Sequence, residues 1–304
     1  MTTSSTAGRG APAFPAPRVV RTRAELRDAL ADRRAGRRAV VMTMGALHAG
    51  HLSLVHAARE LADQVVVTIF VNPLQFGPTE DLDQYPRDLP RDLELLAGAR
   101  VDVVFTPDAG EMYPDGEPEV RVHAGRTGEL LEGALRPGHF DGMLTVVLKL
   151  LHLTEADVAV FGQKDAQQLM LIRRMVADLD LDVEVVGAPT VRDEDGVALS
   201  SRNAYLDPEQ RVAARALSRA LAAAGRAAAQ GGGAMQVLGA ASEVLAVEPG
   251  LVMDYVALVD PASAAEVGPA HHGPALLAVA GRSGPTRLID NVLLDLRPRA
   301  QEGP

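Results

Sequence analysis

The chain has 304 residues, 47% of them hydrophobic, no cysteine and a formal net charge of -10. That length suffices for two domains with sizeable cores, the lack of cysteine excludes a disulfide scaffold, and no apolar run reaches the roughly 18 residues of a membrane span. The acidic balance excludes a general nucleic-acid binder, which needs excess Lys and Arg to displace phosphate counter-ions, and the composition fits a reducing, cytoplasmic setting.

Residues 1–17 are rich in Ser, Thr, Ala, Gly and Pro without the apolar centre of a secretory signal, and read as a disordered tail. From 18 to 190 the patterns alternate: strands over 38–43, 65–71, 101–106, 157–162 and 182–187, with helices over 51–62, 89–99, 139–153 and 165–178. Alternation of this kind predicts an α/β, Rossmann-like parallel sheet with helices on both faces, whose ligands lie beyond the carboxyl ends of the strands. Neither the glycine-rich dinucleotide fingerprint nor the Walker loop is present. Past Val191 the character changes. Asp207, Pro208 and Gln210 make a capped start for a long helix ending near Gln230, and three glycines then precede a second helix over 234–246. Apolar runs over 253–259, 276–280 and 287–294 predict three short strands. Residues 191–304 therefore read as a smaller C-terminal α+β domain, a lid or a dimerisation element.

The run Met42-Thr43-Met44-Gly45-Ala46-Leu47-His48-Ala49-Gly50-His51 places two histidines where the first long strand gives way to a helix. A helix N-terminus offers unpaired N–H groups and partial positive charge, which suit a phosphate chain; histidines there add hydrogen bonds and, when protonated, charge. The spacing also permits zinc, but that needs further ligands; there is no Cys, and His271-His272 lies far away in the chain. Only two of the 30 basic side chains are lysine. Lys149 falls in an apolar helix, where it is expected to snorkel. Lys164 follows the strand ending Phe161-Gly162-Gln163 and precedes a helix, so it is a candidate phosphate-binding point charge, with a solvated surface lysine as the alternative. Leu199-Ser200-Ser201-Arg202-Asn203 sets two hydroxyls beside a guanidinium and suits phosphate oxygens equally well, or else is a turn that caps neighbouring helices.

These segments, with Ile69-Phe70-Val71-Asn72-Pro73-Leu74-Gln75-Phe76, Gly138-His139-Phe140-Asp141-Gly142 and Phe161-Gly162-Gln163-Lys164-Asp165-Ala166-Gln167-Gln168, closely resemble the pantoate–beta-alanine ligase (pantothenate synthetase) family of the HxGH nucleotidylyltransferase superfamily. The likeness runs from about residue 18 to about residue 295, in motif order. It implies ATP-dependent condensation of pantoate with beta-alanine through a pantoyl adenylate, releasing pyrophosphate and AMP. It places Met44, Gly45, Ala46, Leu47, His48, Ala49, Gly50 and His51 at ATP, together with Gly162, Gln163, Lys164, Asp165, Val191, Leu199, Ser200, Ser201 and Arg202. Of these, His48, His51, Lys164, Ser200, Ser201 and Arg202 are expected to be catalytic. Asn72, Gln75 and Gln168 are expected at the substrate, Asp92 at Mg2+, and a homodimer is implied. Two positions depart from the pattern: Met42 stands where the family usually has proline, and Ala49 where an acidic residue is common.

The chemistry follows from charge. A carboxylate attacking phosphorus is already ionised and needs no base, so positioning and preorganised donors should carry the rate. The later attack by an amine requires loss of a proton, for which a nearby histidine is the candidate acceptor. A related nucleotidylyltransferase and a non-catalytic metabolite binder are the rival readings; AMP release dependent on beta-alanine separates them.

Overall fold

The structure, a computed structural model, describes residues 15–32, 36–77, 82–83 and 85–296. Residues 1–14 of the expected tail and 297–304 of the expected C-terminal domain lie outside the described residues. Strands β1 (Arg18–Val20), β2 (Arg38–Thr43), β3 (Gln64–Ile69), β4 (Val103–Phe105), β5 (Val158–Gly162) and β6 (Glu184–Ala188) form one sheet in the order β1-β4-β3-β2-β5-β6. Every neighbouring pair is parallel. Both faces are covered, so successive residues alternate between two cores. Val40, Val66, Ala159 and Phe161 pack with α1 (Arg23–Ala29), α6 (His139–Thr154) and α7 (Ala166–Asp178). Ala39, Val41, Val65, Val67, Val158 and Val160 pack on the other face with α2 (Ala49–Leu61) and α3 (Leu89–Gly98).

β2 and β5 are neighbours, yet the chain leaves them in opposite directions, through α2 to β3 and through α7 to β6. Their carboxyl ends therefore flank the crevice that this topology leaves open for a ligand.

Beyond β6 stand α8 (Pro208–Ala229), α9 (Ala234–Ala246) and an antiparallel sheet of β7 (Val252–Val259), β8 (Pro274–Ser283) and β9 (Thr286–Asp295). Asp207 caps α8 in a reciprocal box with Gln210, as the residue pattern predicts. Small residues such as Ala216, Ala220 and Ala224 let α8 lie close to α9 and the sheet over Leu277 and Val279. The opposite sheet face, through Ala257, Leu276 and Ala278, meets Met170 of α7.

Sequence reasoning passed over β1 and α1. Three residues are too few to show alternation, but Thr22 and Glu25 form a capping box that could have been read. Two further short helices, α4 (Ala109–Met112) and α5 (Glu132–Leu135), have four residues each, too few for a helical period to show in the sequence. The ammonium of Lys149, which is half-buried, donates to the Met112 carbonyl and sits 5.0 Å from the Tyr113 ring centre. Among the described residues no helix is long and apolar enough to cross a membrane.

Candidate active site

The turn from β2 into α2 runs through Gly45 and Ala46, both left-handed (φ 84° and 50°). Alanine adopts that conformation only at a cost, so something must hold it. The Asp92 carboxylate of α3, 2% exposed, does so: Oδ2 accepts the Ala46 N–H at 3.0 Å and Oδ1 the Leu47 N–H at 2.7 Å. Burial raises the Asp92 pKa, and those two N–H groups work against the rise. Asp92 was expected at magnesium; both of its oxygens are instead committed to this buried turn, and among the described residues no group of three or more His, Asp or Glu is placed to hold a metal ion. His271, far along the chain from His48 and His51, is turned to the Pro274 carbonyl.

His48 caps α2. Its Nδ1 accepts the Gly50 N–H at 3.1 Å, while His51 Nδ1 accepts the His48 N–H at 3.3 Å. With both Nδ1 atoms occupied as acceptors, each ring carries its hydrogen on Nε2. The rings lie 4.1 Å apart. Burial, then the nearby Lys164 charge, lowers the His48 pKa; burial, then His48 and Lys164, lowers that of His51 to about 3. Both imidazoles are therefore neutral donors, not the cations that a helix-end placement allowed, and neither turns a free lone pair toward the crevice as a base.

The turn after β5 brings Lys164, 19% exposed, beside Asp165, which is 50% exposed and 3.9 Å from the ammonium. Gln163 is turned aside to the Gly187 carbonyl. The 199–202 segment folds over the first turn: Ser201 Oγ donates to the Ala46 carbonyl at 3.3 Å, and Ser200 caps a single 3-10 turn at Arg202. The Val191 carbonyl is taken by the Leu199 N–H at 3.0 Å. Ser200 is thus both a cap, the plainer alternative, and part of the crevice wall.

Two residues of β9 that sequence reasoning missed hold these loops. Asp290, 3% exposed, accepts both terminal nitrogens of Arg192 at 2.6 and 2.9 Å. Asn291 donates to the Gln163 and Lys164 carbonyls at 3.0 and 2.8 Å.

On the far side, Asn72 starts a 3-10 turn whose last residue is Gln75. Gly142 of α6 permits this, since a Cβ there would meet the Leu74 carbonyl oxygen at 2.1 Å. His139 Nδ1 donates to the Gln75 carbonyl at 2.8 Å, and its Nε2 accepts from Arg136 at 3.0 Å. The motif containing His139 stands out in the sequence, but no local pattern gave the residue a partner.

The crevice is a cavity of about 260 Å³ that opens beside a larger cleft of about 700 Å³ under the antiparallel sheet. Met44, His48, Gly50 and His51 line the smaller space from one side, and Gly162, Lys164, Asp165 and Gln168 from another. Asn72 and Gln75 complete it with Val191 and 199–202. Met42 lies there too. Gly45, Ala46, Leu47, Ala49 and Gln163 do not line it; they shape the turns, with the Leu47 side chain buried in the core.

The pantoate-beta-alanine ligase profile matches residues 18–293. The chain belongs to the pantoate-beta-alanine ligase family. Pantothenate synthetases of Streptomyces coelicolor and Salinispora arenicola are 53% and 57% identical to this ligase, covering 93% and 92% of it and 97% and 98% of themselves. The solved pantothenate synthetase of Thermus thermophilus has TM-score 0.86 and 50% identity, over 92% of this chain and all of its own. A Francisella tularensis pantoate-beta-alanine ligase, solved with beta-gamma ATP and beta-alanine, has TM-score 0.75 and 33% identity, over 91% and 98%. The ligase is thus an enzyme that joins pantoate to beta-alanine.

Proposed function

We propose that the ligase uses ATP in two steps within the 260 Å³ cavity. The pantoate carboxylate attacks the α-phosphorus, and pyrophosphate leaves to give pantoyl adenylate. The amine of beta-alanine then attacks the acyl carbon, and AMP leaves. The observation that carries this reading is the convergence of the neutral imidazoles of His48 and His51, the Lys164 ammonium and Arg202 on one small space. Two anions must approach there, and fixed donors offset their repulsion and the charge that builds on phosphate oxygens. Gln75 and Gln168 hold pantoate; Asn72, expected there too, instead spends its amide on Gln75, Gly142, Leu74 and Tyr113. The ATP in the Francisella tularensis complex supports the choice of nucleotide.

Residues 18–190 form the nucleotide- and pantoate-binding domain, and 191–304 a lid domain that keeps water from the mixed anhydride. The amine proton of the second step is not assigned to either imidazole, because both present N–H. Mg2+ belongs to the reading through the family alone: Asp92 and its surroundings do not fit a protein-held cation, and a cation of this kind is commonly bound largely through substrate phosphates. The reading includes a cytoplasmic homodimer, which light scattering near twice 32.1 kDa tests.

Incubation with ATP, Mg2+, pantoate and beta-alanine, with products identified by mass, should give pantothenate, AMP and pyrophosphate in equal amounts. ADP and phosphate instead would overturn the adenylate step.

A further inference from the structure

We infer that Tyr113 is a positioning residue for the acid substrate: by donating to Asn72 it reinforces the orientation in which Asn72 holds the amide of Gln75, so that the cavity meets an N–H donor there, not a carbonyl. This rests on the reading of Gln75 as a pantoate-holding residue.

Asn72, 1% exposed, has an amide that touches two main-chain groups of fixed identity. Oδ1 lies 3.3 Å from the Leu74 N–H, and Nδ2 lies 3.1 Å from the Gly142 carbonyl oxygen. A backbone N–H only donates and a carbonyl only accepts, so the amide has a single satisfied orientation. Two consequences follow. The Tyr113 hydroxyl, 2.8 Å from Oδ1, must donate its proton there. The second hydrogen of Nδ2 goes to Gln75 Oε1 at 3.2 Å, which uses the only acceptor that Gln75 has on its side chain. Its Nε2 is thereby turned toward Met44 Sδ, at 3.0 Å, and the cavity that both residues line. Thioether sulfur is a weak acceptor, so the amide keeps donor capacity for a ligand.

Tyr113 is itself held. It is 8% exposed, its ring lies 6.1 Å from that of Phe70, and the Lys149 ammonium sits over its face. Tyr113 lines neither cavity, and its hydroxyl reaches the site through Asn72. A donor at Gln75 favours an oxygen acceptor, such as the carboxylate or hydroxyl of a 2-hydroxy acid, and disfavours an ammonium group. The chain of bonds therefore gives one reason why the amino substrate does not occupy the place of the acid.

Tyr113→Phe removes only the hydroxyl. We expect the KM for pantoate to rise about five- to tenfold, the worth of one buried hydrogen bond, while kcat and the KM values for ATP and beta-alanine stay within about twofold. Asn72→Asp, which cannot donate to Gln75, should raise the pantoate KM further. Gln75→Ala separates the two layers of the reading. An unchanged pantoate KM in Gln75→Ala would remove pantoate from Gln75 altogether. A raised KM in Gln75→Ala beside an unchanged one in Tyr113→Phe, or an equal loss toward all three substrates in Tyr113→Phe, would overturn the positioning role.

Discussion

At the scale of single residues, the site depends on where hydrogens sit. His51 is neutral because it is buried beside two other basic groups, and its pKa of about 3 lies far below the ordinary 6.5. Below pH 6.5 the unfolded chain gains a proton that the native chain refuses, so stability falls with pH until the native value is reached. The slope is at most about 1.4 kcal/mol per pH unit. The thermal midpoint of the ligand-free enzyme should therefore drop between about pH 6.5 and about pH 4.5, and His51→Gln should flatten that drop; parallel curves would contradict it. Lys164 is a different case, since it supplies charge. Lys164→Ala should lower kcat by ~10²-fold or more with the fold intact, and Lys164→Arg should rescue it poorly because a planar fork does not replace a point charge. Asp92→Asn tests the turn. Losing one charge-assisted bond to the Ala46–Leu47 backbone should cost about 1.5–3 kcal/mol and raise the KM for ATP, yet leave the Mg2+ dependence of rate unaltered. A selective rise in the Mg2+ requirement would restore the metal role.

Among elements, β9 ties the antiparallel sheet to the nucleotide side. Asn291 bonds two consecutive carbonyls of the Lys164 turn, and Asp290 pairs with Arg192 just before the 199–202 segment. Asn291→Ala should thus raise the KM for ATP by about tenfold while the KM for pantoate barely moves; equal effects on both would show a general loosening. The elements are largely legible in the sequence because periodicity is local: the pattern predicts α9 over 234–246 and β2 over 38–43, and the structure has the same ends. Their partners were not. Asp92 is 46 positions from Ala46, Tyr113 is 41 from Asn72, and Asn291 is 127 from Lys164. No spacing rule links such pairs; the folding of the sheet alone brings them together.

For the whole molecule, a buried cluster fixes how the two sheets meet. Glu132 accepts Arg287 through both carboxylate oxygens at 2.6 and 2.8 Å and the Tyr255 hydroxyl at 2.7 Å, while Arg287 also reaches Asp254 at 2.7 Å. Burial pushes the Glu132 pKa up, and the bonds and charge of Arg287 more than reverse it. A cluster like this specifies orientation more than it adds net stability, which suits a part that must sit correctly over the larger cleft. The family-bearing residues could be named from sequence because their motifs are contiguous. Their protonation states could not, since these depend on what surrounds them. Attack of a pantoate oxygen on the α-phosphorus inside this cavity is the central claim, and one isotope measurement tests it: pantoate labelled with ¹⁸O in its carboxylate, turned over with ATP and beta-alanine. One labelled oxygen is expected in AMP and the other in the amide carbonyl of the product; unlabelled AMP, with the departing oxygen in phosphate, pyrophosphate or water instead, would contradict it.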